Sequence, residues 1–317
     1  MTVVCPKCGA TNRIPDPPVP SVRYLCAKCK TRLTHPPKAP SAKGERSVIL
    51  QPAAAEEKYT AKVVGILLLY LLVITVAEAF LHFAESALGV VCHVILLVAL
   101  IAQPLRVTER HSRLFLLSLA IVPLSRIISL VAWGILSAFN VEGSLAFTAF
   151  VNPLLLVAAV ATMLVLGLRA RGVGLALGKP LPQLLVGLTG IIFGLALYYV
   201  AKPEPLVPEL DWGKIIMAAS AILIGAVQEE LIFRGILQRT SMAVFGLRGL
   251  VYVSLVFALM HFGDISGMNL SVISIPLIFG IALFYSWVVK RTGSLLGVTL
   301  SHFIINIIFF LVAPLAL

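Results

Sequence analysis

From about residue 62 to residue 317, apolar runs of about 20 residues recur with few charges inside them, separated by short stretches carrying Arg, Lys, Pro or Gly. An α-helix of that length spans the hydrocarbon core of a bilayer. The pattern therefore predicts membrane-spanning helices near 62–83, 86–104, 113–138, 145–168, 181–200, 213–241, 249–262, 271–289 and 294–315, nine spans with an uncertainty of one. The 249–262 run is short and is followed by a polar stretch from Gly263 to Asn269, so it is the piece expected to merge with a neighbour or to re-enter. The expected fold class is an all-α polytopic membrane protein of about 8–9 transmembrane helices.

Composition agrees with the pattern. Hydrophobic residues make up 59 % of the 317 positions and charged residues only 12 %, with a mean hydropathy of +1.01. A soluble domain carries roughly twice that share of charge. The chain is read as an integral membrane protein whose first partner is the lipid bilayer.

The net charge of +11 says less than its placement. Eleven of the 25 Lys and Arg residues lie within the first 62 positions. With the N-terminus in the cytoplasm, Arg106, Arg110 and Arg113, then Arg169, Arg171 and Lys179, then Arg239 and Arg248, then Lys290 and Arg291 all fall in cytoplasmic loops. The opposite loops keep Lys202 and Lys214 beside Glu204, Glu209 and Asp211. Reversal would invert nearly every loop, so an N-in orientation is expected, in the inner or plasma membrane if the chain is prokaryotic. Topology accounts for the basic charge, and no nucleic-acid partner is expected. No signal peptide opens the chain, because cysteines stand where its apolar core would be.

Four of the five cysteines sit in that opening segment, as Cys5-Pro-Lys-Cys8 and Cys26-Ala-Lys-Cys29. Two CxxC knuckles at this separation are the pattern of a four-thiolate zinc site, each knuckle offering two sulfurs from one tight turn. Gly9 suits the positive φ such a turn needs. Disulfides are disfavoured in a reducing compartment, and 33 residues cannot supply the βαβ setting of a redox CxxC. A small zinc ribbon over 1–33 is expected, with structural zinc on Cys5, Cys8, Cys26 and Cys29 and with iron as the alternative metal. Such a ribbon could engage a cytoplasmic partner. Cys92 lies within a predicted span and reads as a packing residue. Residues 34–60, rich in Pro, Ala, Lys and Ser, read as a flexible linker. The expected organisation is 1–33 ribbon, 34–60 linker, 61–178 N-terminal transmembrane helices and 179–317 a second transmembrane domain.

Ionisable groups at membrane depth are expensive, which makes them functional candidates. Three clusters stand out: Gln228 to Arg234 with the paired Glu229 and Glu230, Phe257 to His261, and His302 to Asn306. Glu230 and Arg234 are four apart on one helical face and can pair. Glu229 is turned about 100° away and needs another partner. Phe257 and His261 share a face, as do His302 and Asn306. If the chain reverses near Gly246, Glu229 and His261 lie at nearly equal depth on opposite arms. His302 lies a similar count beyond Lys290 and Arg291, all on the order of 16–25 Å of helix path from their turns. The three can meet in one layer.

EExxxR, FxxxH and HxxxN, in this order in successive hydrophobic segments, resemble the CAAX-protease and bacteriocin-processing (CPBP, or Abi) family over roughly residues 180–317. The short Gly293-to-His302 stretch before the last motif fits the same pattern. The resemblance implies intramembrane endopeptidase activity on a membrane-associated protein or peptide, in a cavity open to the cytoplasm. It implies that Glu229 and His261 activate a water and that His302 and Asn306 stabilise the oxyanion. Glu230 and Arg234 then hold the first motif in place. Physical chemistry agrees, since positioned bases and donors aimed at a developing oxyanion supply much of the rate in acyl transfer. The same residues allow a metalloprotease, with Glu229, His261 and His302 as ligands. A metal-free glutamate mechanism is preferred because Arg234 offsets the glutamate pair and Asn306 is a poor zinc ligand.

A second class of function uses other residues. Glu78, His82 and Glu85 share a face of the first span and Arg126 lies inside the third, as in a transporter or proton relay. The plainer reading pairs Glu78 with Arg126 while His82 and Glu85 reach the outer interface. No inverted repeat supports transport. His93 and His111 have no partner at helical spacing and are assigned no role. A catalytically silent immunity or scaffold protein is the third possibility.

Overall fold

The structure, a computed structural model, describes residues 2–4, 7–13, 25–31, 61–83, 86–261 and 274–317. Cys5, the whole 34–60 segment expected as a linker, Glu85 and the polar 263–269 stretch lie outside them. The chain divides into two compact units, Met1–Ser47 and Val48–Leu317.

In the first unit, β1 (Thr2–Val4) pairs antiparallel with β2 (Thr11–Arg13), with Val3 opposite Asn12. The first knuckle lies between the two strands. Gly9 there takes φ +70°, the left-handed conformation that a residue without a Cβ adopts at little cost.

Among its described residues the second unit holds helices joined by loops and no strand: α1 (Ala61–Phe83), α2 (Ser86–Ala102), α3 (Arg110–Leu119), α4 (Ile121–Ala138), α5 (Ser144–Val165), α6 (Pro180–Ala201), α7 (Trp212–Glu230), α8 (Gln238–Phe245), α9 (Arg248–Leu259), α10 (Ser274–Thr292), α11 (Leu296–Ile307) and α12 (Ala313–Ala316). Their starts follow from local chemistry. The Glu109 carboxylate accepts from the His111 and Ser112 amides ahead of α3, Pro180 occupies the first turn of α6, and Asp211 accepts from the Lys214 amide at 3.0 Å ahead of α7.

Seven helical segments are long and apolar enough to cross a membrane, and Gly65–Leu81 within α1 and Arg248–Leu259 are shorter apolar helices. Among the described residues these nine match the nine expected spans one to one. The short run expected at 249–262 is α9, whose 12 residues rise only about 18 Å, too little for a bilayer core of about 30 Å. The outer faces are apolar: Ile192 is 70 % exposed, and Leu69, Val98 and Leu185 are also turned outward. In water such a surface would aggregate, and in lipid it is solvated. The molecule is an integral membrane protein.

Two irregularities flank the polar residues. A π-helical segment, Leu231–Leu237, joins α7 to α8 directly after the glutamate pair, and a second, Ile308–Val312, follows Asn306. Wider turns of this kind reset the phase of the side chains that follow. Helices α6 and α11 approach closely through Gly187, Gly190 and Gly194. A Cβ added to Gly190 would meet the Ser301 carbonyl and stand 2.9 Å from Cβ of Ile304. Gln183 on α6 accepts from the Gly297 amide at 2.6 Å and so fixes the start of α11, the helix that carries His302 and Asn306.

Candidate active site

The three intramembrane clusters come together. Glu230 at the end of α7 is fully buried, and its Oε1 accepts from Arg234 Nη1 at 3.0 Å. The same oxygen meets Nδ1 of His302 on α11 at 2.8 Å. Glu230 thus ties the first motif to the third, a partnership that helical spacing within one segment does not reveal. The Arg234 guanidinium also lies 4.2 Å from the centre of the Phe257 ring and 5.6 Å from that of Tyr285. Such cation–π contacts compensate part of the cost of keeping a charge out of water.

Phe257 explains the second motif in packing terms. Its ring stands edge-to-face against Phe233 at 4.9 Å and His302 at 6.2 Å, and lies 4.6 Å from the ring of His261, in the turn just past the end of α9. It packs between the Arg234 guanidinium and the His261 ring, with its edge toward His302.

His261 Nδ1 lies 2.8 Å from the Phe257 carbonyl. A carbonyl only accepts, so the proton is on Nδ1, and in the neutral ring Nε2 presents its lone pair. That Nε2 stands 3.9 Å from Oε2 of Glu229, and Nε2 of His302 stands 3.8 Å from the same oxygen. Both separations exceed direct hydrogen-bond reach and suit a shared bridging molecule. Glu229 Oε2 makes no hydrogen bond among the described residues. The Glu229 and His261 side chains are 29 % and 28 % exposed, against 9 % for His302.

Two cavities meet at His261. One, of about 160 Å³, is lined by Glu229, Gln228, Arg126, Asn152 and Ser129. The other, of about 70 Å³, is mostly apolar and holds His302 and Asn306 with Leu197, Ile281 and Phe309. Asn306 thus shares a cavity with both imidazoles. Next to His302, Ser301 accepts from the Tyr285 hydroxyl at 2.6 Å and lies 3.0 Å from Thr189, which holds that turn of α11 from two neighbouring helices.

The expected pairing of Glu78 with Arg126 is present, Nε to Oε1 at 2.8 Å. His93, given no partner by helical spacing, lies on α2 with Nε2 3.3 Å from the same Glu78 oxygen on α1. The missing signal is the adjacency of helices, which no single-segment periodicity carries. Arg126 further donates from Nη2 to the carbonyl of Met260, so it reaches the second motif.

In the first unit, the sulfurs of Cys8, Cys26 and Cys29 lie within 4.8 Å of one another, with Cys8 and Cys26 at 3.6 Å. Tetrahedral zinc with Zn–S of about 2.3 Å sets sulfurs about 3.8 Å apart, so these three thiols fit a metal.

Fold and site together define a polytopic membrane protein with a glutamate–histidine–asparagine centre inside the helix bundle. Residues 211–308 match the family model described as "Type II CAAX prenyl endopeptidase Rce1-like", a segment that contains Glu229, Glu230, Arg234, His261, His302 and Asn306. The CAAX-protease resemblance carried by the three motifs is borne out over these residues, and it supports an intramembrane endopeptidase. No curated protein sequence and no solved structure matches the chain.

Proposed function

We propose that this protein hydrolyses a peptide bond of a membrane-associated protein or peptide, with Glu229 as general base. The observation that carries the reading is the convergence of two imidazole Nε2 atoms on one oxygen of Glu229, at 3.9 and 3.8 Å, at the meeting of the two cavities. A water bound there is oriented by His261 and loses its proton to Glu229 as its oxygen attacks the scissile carbonyl carbon. With the Glu230 carboxylate against Nδ1, a His302 ring protonated on both nitrogens donates from Nε2 to the oxyanion, and Asn306 supplies a second donor. Collapse breaks the C–N bond, and Glu229 returns the proton to the leaving nitrogen.

The same convergence favours one further reading, in which Glu229, His261 and His302 bind a catalytic metal. Elemental analysis separates the two: a chain lacking residues 1–60 that still holds one zinc per molecule contradicts the metal-free mechanism.

The remaining parts of the reading rest on the sequence. The N-terminus is cytoplasmic, zinc sits in the ribbon on Cys5, Cys8, Cys26 and Cys29, and residues 179–317 form the catalytic domain behind the 61–178 helices. The test is a proteomic comparison of membranes carrying the intact protein or Glu229→Ala. A membrane-associated protein should accumulate uncleaved with Glu229→Ala, and identical cleavage patterns in the two membranes would count against peptidase activity. A farnesyl-cysteine CAAX peptide, added as a second probe, asks whether prenylated tails are accepted.

A further inference from the structure

Arg126 sits on α4, well outside the 211–308 segment that matches the endopeptidase family, yet it lines the same cavity as Glu229 and His261. Its guanidinium is used from two sides. Nε donates to Glu78, which is fully buried and is also approached by His93. Nη2 donates to the carbonyl of Met260, the residue immediately before His261.

That carbonyl has a defined need. Met260 closes α9, its own amide donating to Val256 at 3.0 Å while the His261 amide donates to Ala258 at 3.1 Å. The carbonyls of a helix's last turn have no acceptor role left inside the helix, and they carry the negative end of its dipole. A guanidinium placed against one of them satisfies both. It also pins the main chain one bond from His261, whose ring lies against the Phe257 carbonyl of the helix it follows. A rigid fork spanning Glu78 and Met260 does what a single-point ammonium does not.

We infer that Arg126 is a positioning residue for His261, clamping the end of α9 through the Met260 carbonyl, and that Glu78 and His93 exist to hold that clamp. The inference rests on His261 acting in peptide hydrolysis, and it makes the N-terminal helices part of the active centre. Cutting the clamp lets the imidazole drift from Glu229. Displacement of a catalytic group by about 1 Å costs about 100-fold in rate.

The experiment uses the full chain in lipid nanodiscs with its six histidines ring-labelled with nitrogen-15, each signal assigned by a single His→Gln replacement. In Arg126→Lys, and in the charge-neutral pair Glu78→Gln/Arg126→Gln, the His261 ring signals should shift or split while those of His302 hold. On any peptide the wild type cleaves, kcat should fall about 10- to 100-fold with KM unchanged. Unchanged His261 signals in either variant that folds overturn the clamp, as does a rise in KM with kcat intact. In the wild type itself, nitrogen-15 arginine and carbonyl-13 methionine labels should show a dipolar contact between guanidinium and carbonyl, and its absence overturns the clamp without any variant. A wild-type chain that cleaves nothing counts against the peptidase reading and leaves the ring signals to decide this one.

Discussion

Glu229 and Glu230 are adjacent in sequence and opposite in situation, and their variants should differ accordingly. Glu230 binds Arg234 at 3.0 Å and His302 at 2.8 Å. Glu230→Gln removes the countercharge of a buried guanidinium, a change that destabilises by about 3–5 kcal/mol where a buried pair is broken. Its thermal midpoint in detergent should fall clearly below that of the wild type. Glu229→Gln breaks no direct bond and should melt with the wild type, and a drop equal to that of Glu230→Gln would mean the two carboxylates exchange roles. Asn306→Ala should lower turnover by about 10²–10³-fold through loss of one oxyanion donor. At this scale the sequence was informative wherever partners share a helix. Glu230 with Arg234 follows from a spacing of four, and so does the nearness of Phe257 and His261. Across helices it carried only what charge and depth suggest, Glu78 with Arg126 and one layer for Glu229, His261 and His302. His302 on Glu230, His93 on Glu78 and Arg126 on Met260 depend on which helices abut, and hydrophobic periodicity says only that a face is covered.

Helix α11 delivers two of the proposed catalytic residues, and α6 decides how deeply it can do so. Gly190 lies where any Cβ would meet the Ser301 carbonyl, one residue from His302. Gly190→Ala should therefore push α11 outward, costing about 1–3 kcal/mol as overpacking does, and should lower turnover more than the same replacement at Gly65, which has open space around it. Equal thermal midpoints and turnover for the two variants would show that the close approach is not needed. The nine apolar helices were legible as runs, and bilayer thickness dictates the length of the seven that are long enough to cross. The π-helical segments Leu231–Leu237 and Ile308–Val312 were not, since one extra residue per turn leaves no mark on composition. In the N-terminal unit the CxxC spacing announced the thiol cluster, and Cys8, Cys26 and Cys29 do converge. Elemental analysis should find about one zinc per chain, lost on Cys26→Ser. Retention of full zinc in that variant would place the metal elsewhere.

The second unit is a bundle whose polar centre is enclosed by helices that precede and follow α6. Its orientation decides which side supplies substrate. Labelling of single cysteines in a cysteine-free background should find positions 38–46 and 290–291 reactive from the cytoplasm and 204–211 from the opposite side. Cytoplasmic reactivity at 204–211 would reverse the topology and put the cavity on the other face. Charge asymmetry is the basis for expecting this orientation, and the substrate stays outside what apolar runs and three motifs can encode, because recognition depends on cavity shape. The central claim is narrower: Glu229 takes a proton from water in a peptide-bond hydrolysis. It is tested most directly by measuring cleavage of the membrane protein that accumulates in Glu229→Ala membranes, with purified wild type and Glu229→Gln compared in liposomes. The account predicts a fall of about 10²–10⁴-fold in turnover with an unchanged melting temperature. Full activity in Glu229→Gln would contradict it.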